Sequence, residues 1–140
     1  MILLDTDHCT VLFDERHRLH QHLVSKLNES VHAIGIPIIA IEEQLKGLLA
    51  MVHRSHEPEQ KIWPYQRLSS LLKGLSQIDV VDFDHVSAQI AKELRQQRLR
   101  IGNQDLSIAA IALATDGKLL TANLRDFRRI EGLQFENWLI

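Results

Sequence analysis

The chain has 140 residues, 45% of them hydrophobic and 24% charged, with a formal net charge of −2 at pH 7. That length suits one domain over residues 1–140 with a core of ordinary size, and no apolar run approaches the roughly 18 residues that a membrane span requires. The balance of charge excludes nucleic-acid binding by bulk electrostatics, so any basic surface must be local. Met1 runs into Ile2-Leu3-Leu4 without a basic region or a small-residue cleavage site, which is no secretory signal, and a cytoplasmic location is expected. The lone Cys9 forms no disulfide within the chain, in keeping with a reducing compartment.

In chain order, Ile2-Leu3-Leu4 reads as a first short buried strand, with Asp5 at its end. A second apolar run, Ile36-Pro37-Ile38-Ile39, is followed by a helix from Ala40 whose apolar stripe is Ile41, Leu45, Leu48, Leu49 and Val52. The stretch from Glu57 to Leu75 is also expected to be helical, with Pro58 and Pro64 leaving its register open. Val80-Val81 lies in a third strand, and Val86, Ile90 and Leu94 recur at helical spacing after it. Asp105 opens a further helix and shares a face with Ile108, Ala109 and Ala112. The turn Asp116-Gly117 precedes a fourth strand, Lys118-Leu119-Leu120-Thr121. Strands separated by helices imply right-handed crossovers and a parallel sheet covered on both faces, an α/β fold in which ligands gather at the carboxyl ends of the strands.

That edge is where the acids fall. Asp5 ends the first strand, and alone it would pass for a loop acid or a helix N-cap. Asp105 sits on the face that must pack on the sheet, although an acid near a helix N-terminus also has a purely electrostatic use, worth about 0.3–1 kcal/mol. Glu42 and Glu43 follow the second strand, and helix geometry places Glu42 nearer the apolar stripe. Asp126 follows the fourth strand, with Asn123 as a neutral oxygen ligand beside it. Acids converging from distant segments with no Cys or His among them suit a hard cation, Mg2+ or Mn2+. Two carboxylates about 4 Å apart repel by roughly 4 kcal/mol at an effective dielectric near 20, a conflict that a divalent ion removes. The chemistry such a cluster permits is hydrolysis of a phosphodiester. Two basic stretches, Lys92, Arg95, Arg98 and Arg100, and Arg125, Arg128 and Arg129, are available to hold a nucleic-acid backbone.

Three segments carry a resemblance: Ile2-Leu3-Leu4-Asp5-Thr6-Asp7, Glu43-Gln44-Leu45-Lys46-Gly47, and Ile101-Gly102-Asn103-Gln104-Asp105-Leu106-Ser107-Ile108-Ala109-Ala110. They look like the successive acidic motifs of PIN-domain ribonucleases of the VapC toxin type. Leu120 to Phe127, Gly132-Leu133 and Glu136-Asn137-Trp138 are similar to that family's closing motif and last strand. The resemblance implies a three-layer α/β/α sandwich, a magnesium- or manganese-dependent endoribonuclease, a homodimer, and a small antitoxin that inserts into the active site. It also implies Asp5, Glu43 and Asp105 as the main acids, with Asp5 and Asp105 on the metal, Asp126 as a fourth carboxylate, and Thr6 steadying Asp5. The motif favours Glu43 over Glu42, because the acid stands four residues before Gly47. Two departures stand out: Asp7 replaces the family's frequent Asn or Ser, and Asn123 its frequent Asp.

Other readings come from other classes. Asp5-Thr6-Asp7 after an apolar strand also resembles the nucleophile motif of haloacid-dehalogenase-type phosphatases, but Thr121-Ala122-Asn123-Leu124 does not supply the paired acids that fold needs later. A non-catalytic PIN-like module that binds RNA or a protein is the second. A zinc site is a third, since His17 and His20, and His53 and His56, stand at i, i+3; with no Cys partner and eight His along the chain, surface histidines are the preferred explanation.

Overall fold

In a computed structural model describing residues 1–140, five short parallel strands form one sheet. They are β1 (Ile2–Leu4), β2 (Ile34–Pro37), β3 (Asp79–Val81), β4 (Lys118–Leu120) and β5 (Gln134–Glu136), in the spatial order β3-β2-β1-β4-β5. Seven α-helices connect them: α1 (Thr6–Leu12), α2 (His20–Glu29), α3 (Ile38–Arg54), α4 (Ile62–Leu75), α5 (His85–Gln96), α6 (Asn103–Ala114) and α7 (Leu124–Phe127). The chain moves outward from β1 to β2 and β3, then crosses back to β4 on the other side of β1. Right-handed crossovers therefore place α1–α4 on one face and α5–α7 on the other, giving the α/β/α sandwich. Packing of α3 on α4 and of α5 on α6 agrees with this division.

Burial follows position in the sheet. The central strand β1 is fully enclosed, and Leu3, Leu4, Ile36, Leu119 and Leu120 are all 0% exposed. They meet Ile108, Ala109, Ala110, Ile111 and Ala112 of α6, whose small residues let the helix sit close. The expectation that all strands are buried fails for β3, because it is an edge strand and Asp79 and Val80 remain exposed. Gly35 in β2 has a steric reason, since a Cβ there would lie 2.8 Å from Val81 Cγ2.

The second strand is displaced from its sequence-based limits. It runs from Ile34 to Pro37 and pairs Ile34 with Ile2 and Gly35 with Leu3, while Ile38 and Ile39 already belong to α3. Pro37, at φ −57°, ends the ladder and stands as the N-cap, so the helix begins two residues before Ala40. Pro58 opens a 3-10 turn (Pro58–Lys61), and Pro64 lies in the first turn of α4, where no N–H is required of it. The last strand ends at Glu136, so Asn137 and Trp138 lie beyond it.

Candidate active site

The strand order reverses between β1 and β4, so the crevice outside their carboxyl ends is the topological switch point where open α/β sheets bind ligands. Asp5 follows β1 directly, and its backbone N–H donates to Leu120 O at 3.0 Å, which fixes it on the β4 side. Asp5 is buried, 6% exposed, and its Oδ1 caps α1 by accepting the His8 backbone N–H at 3.1 Å. The cap and the strand-end acid are thus one residue, and Oδ2 is the oxygen that the cap leaves over.

Asp105 comes from the first turn of α6, which precedes β4 and starts at the same edge. Asn123 and Asp126 follow β4. The Asn123 side-chain amide donates to Asp105 Oδ2 at 3.3 Å and to Asp126 Oδ2 at 3.0 Å. Its oxygen accepts the Asp126 N–H at 3.4 Å as the cap of α7. In the metal-free chain Asn123 thus bridges two carboxylates with its amide N–H groups while its side-chain oxygen caps α7.

The two glutamates have opposite surroundings. Glu42 is exposed and pairs with Lys46 at 3.5 Å, one turn along α3. Glu43 is half-buried, and its Oε1 is enclosed without completing a hydrogen bond, as is Thr6 Oγ1. Thr6 lies close enough to lower the Glu43 pKa, but the geometry falls short of a formed bond, so both oxygens remain open to a partner. Glu43 lies in the first two turns of α3, close to the carboxyl end of β2, where it can face the sheet edge whatever the later apolar stripe does. Gln44, buried beside it, donates to Thr6 O at 2.9 Å and Thr10 Oγ1 at 2.8 Å, tying α3 to α1.

Electrostatics link the acids across these elements. Burial raises the Glu43 pKa, Thr6 lowers it, and Asp105, Asp5 and Asp7 raise it further. Burial likewise raises Asp105, the Asn123 bond lowers it, and Asp5, Asp126 and Asp7 raise it. Asp7 keeps solvent contact, yet desolvation and then Asp5 raise its carboxyl as well, with His8 opposing. Asp7 thus stands near the other acids, although in the sequence it figures only as a motif departure and in the phosphatase alternative; its position two residues past the Asp5 cap was the available signal. No three His, Cys, Asp or Glu side chains close into a ready-made metal cage. The side chains gathered here offer oxygen donors, which suit a hard divalent ion that retains water. Cys9 is fully buried and its thiol is pushed well up by burial, so it supplies no thiolate.

The histidine pairs do not form helical i, i+3 couples. His17 precedes α2 and His56 lies past the end of α3. His20 Nδ1 contacts Val11 O at 3.0 Å, and His17 Nδ1 accepts the Leu19 N–H at 3.1 Å.

A parallel α/β sheet with carboxylates gathered at its switch point defines the class. A model of the PIN domain matches residues 2–133. Ribonuclease VapC2 of Rickettsia felis is 31% identical over 140 residues, covering 97% of this chain and 96% of that protein. The tRNA(fMet)-specific endonuclease VapC of Salmonella typhimurium is 26% identical with the same coverage. The crystal structure of DNA-bound VapBC from Salmonella typhimurium superposes with a TM-score of 0.78 at 25% identity, over 98% of this chain and 97% of that one. The chain belongs to the PIN domain family, and within it to the VapC ribonucleases. It is a nuclease by that membership, which displaces the phosphatase reading of Asp5-Thr6-Asp7.

Proposed function

We propose that this chain is an endoribonuclease that depends on Mg2+ or Mn2+ and acts as the toxin of a toxin–antitoxin pair. The observation that carries the reading is a Glu43 oxygen enclosed without a hydrogen-bond donor, beside Glu43 and Asp105 carboxyls whose pKa values are raised first by burial and then by neighbouring acids that include Asp5. Neighbouring acids that repel one another, one of them with an enclosed oxygen that no donor reaches, suit a bound cation better than the empty fold. Asp5 and Asp105 would hold the ion, with Glu43 and Asp126 completing the acidic wall. When bound, the ion supplies charge neutralisation and Lewis acidity toward the scissile phosphodiester. Burial and the neighbouring acids raise the Glu43 pKa, the direction that a general acid–base residue requires. Asn123 keeps Asp105 and Asp126 apart and oriented, and Thr6 offers its hydroxyl beside Glu43.

Substrate contact falls to the local basic residues. Lys92 and Arg95 line a shallow depression with Phe83, Asn103 and Ser107, next to the start of α6. Arg129 reaches Leu99 O at 3.3 Å and Asp126 at 3.9 Å, joining the second basic stretch to the loop after α5. RNA is the substrate class carried over from the Rickettsia and Salmonella ribonucleases, and a small antitoxin is the partner carried over from the Salmonella VapBC pair. A homodimer and a cytoplasmic location complete the proposal; no helix is long and apolar enough to cross a membrane. The test is incubation with total cellular RNA in Mg2+, in Mn2+ and in chelator, followed by mapping of new ends. Discrete cleavage that chelator abolishes is expected. RNA binding without cleavage in either metal would favour the non-catalytic module.

A further inference from the structure

One buried titratable group has no part in the reading above. His8, on α1, is 0% exposed and lies between the site and the segment that follows β5. Its Nε2 faces the backbone N–H of Trp138 at 3.2 Å, and its Nδ1 faces Asp5 Oδ1 at 3.1 Å. A backbone N–H can only donate, so Nε2 must be the bare, accepting nitrogen, and the ring proton is left on Nδ1. The contact with Asp5 is then a hydrogen bond from a neutral imidazole, Nδ1–H to Oδ1, rather than an ion pair. Oδ1 receives both this bond and the His8 backbone N–H, and the two donors fix the carboxylate plane.

The far end of this relay is itself held. Trp138 Nε1 donates to Glu136 Oε2 at 2.7 Å, Lys118 Nζ pairs with Glu136 Oε1 at 2.6 Å, and the Lys26 ammonium stands 5.6 Å from the Trp138 ring. The Glu136 pKa is held low, first by the Lys118 hydrogen bond and then by that of Trp138. The position of the Trp138 N–H is therefore set by β4, β5 and α2 together, through contacts that lie at the surface.

We propose that His8 is a positioning residue for Asp5: the Trp138 backbone N–H locks its ring in the Nδ1–H tautomer, and that proton orients the Asp5 carboxylate for its cation. The segment after β5 thereby sets the geometry of a site it does not enter. This rests on Asp5 being a metal-binding acid, as proposed above. Outer partners of this kind typically shift metal affinity about 10- to 100-fold when removed.

Two substitutions separate the two ends of the relay. In His8→Asn the amide nitrogen occupies the place of Nδ1 and retains the donor to Asp5; in His8→Gln the amide reaches the place of Nε2 and retains an acceptor for Trp138, but Asp5 loses its side-chain donor. Manganese affinity by calorimetry should fall about 10- to 100-fold in His8→Gln, with kcat reduced and KM for RNA unchanged, and stay close to the parent in His8→Asn. Nitrogen-15 shifts of the metal-free full chain at neutral pH should show His8 protonated at Nδ1 and bare at Nε2. Protonation at Nε2, equal losses in the two variants, or full affinity in His8→Gln would each overturn the proposal. Asp5→Asn serves as the control. If it keeps metal binding and cleavage, the assignment of Asp5 fails; if it loses both while His8→Gln is normal, only the role of His8 fails.

Discussion

Glu42 and Glu43 are adjacent in sequence and opposite in environment, and this difference sets what each substitution does. Glu42→Gln removes only an exposed pair with Lys46, worth a few tenths of a kcal/mol, and cleavage should be near normal. Glu43→Gln removes the enclosed acid facing Asp105, Asp5 and Asp7, and kcat should fall about a hundredfold or more, checked on one RNA substrate under saturating metal. An inactive Glu42→Gln beside a normal Glu43→Gln would reverse the assignment. A second outcome concerns pH. Glu43, Asp105 and Asp7 all have folded pKa values above the ordinary carboxylate values of 4.5, 3.8 and 3.8. Their protonated forms contribute stability that is fully present below those ordinary values and is lost as pH rises through the raised ones. Metal-free Asp105→Asn should therefore melt higher than the parent at pH 7, with the gap closing toward pH 4, in a thermal scan. Adding Mn2+ at about 100 times its Kd should raise the parent by roughly 5–10 °C and the variant far less.

Among the elements, what could be read from sequence was what periodicity carries. The strand-end position of Asp5, the sheet-facing side of Asp105 and the alternation of strands with helices all follow from local apolar patterns, and the parallel α/β/α sandwich follows from them. The limits of β2 were misread because Ile38 and Ile39 are as apolar as a strand, and only the fixed φ of Pro37 ends the ladder. The Glu pair is a separate case: the apolar stripe put Glu42 nearer the core, the motif chose Glu43, and it is Glu43 that is half-buried while Glu42 is exposed. The bridge that Asn123 makes was not legible for another reason: which end of an amide faces a carboxylate is decided by contacts between distant segments. Arg67 of α4 shows the same dependence, since nothing local marks it as buried. It donates to the carbonyls of Thr10 and Phe13, closing the C-terminal end of the helix that Asp5 opens, and stands 3.9 Å from Asp14 and 5.9 Å from the Trp63 ring. Arg67→Ala should cost about 2–3 kcal/mol in urea unfolding, because those carbonyls lose charge-assisted donors in a buried place. Metal affinity of the folded fraction should be little changed, since the acids lie at the opposite end of α1.

At the scale of the whole molecule, a chain of net charge −2 with an acidic cleft must still attract a polyanion. Expression of the protein alone should arrest growth, and co-expression of its antitoxin should restore it; harmless overproduction of active protein would count against the toxin role. Attraction of RNA depends on where the positive charges sit. Lys92 and Arg95 lie beside the α6 start that carries Asp105, and Arg129 is fixed between Asp126 and Leu99 O. A few such cations can neutralise a few phosphates while the bound metal offsets the carboxylates, so binding should be strongly salt-dependent for a weakly acidic protein. Each phosphate neutralised on a single strand contributes about −0.7 to the slope of log K against log salt. Three or four contacts then predict a slope of roughly −2 to −3, measured by fluorescence anisotropy on a short RNA with the inactive Asp5→Asn chain. Arg95→Ala should weaken binding at all sequences alike and make the slope less steep by about 0.7. Arg98 and Arg100, in left-handed backbone conformations at φ 54° and 59° in the loop after α5, give the contrast. If either of them, rather than Arg95, carries the change in slope, the backbone of the RNA runs over that loop instead of the depression between α5 and α6.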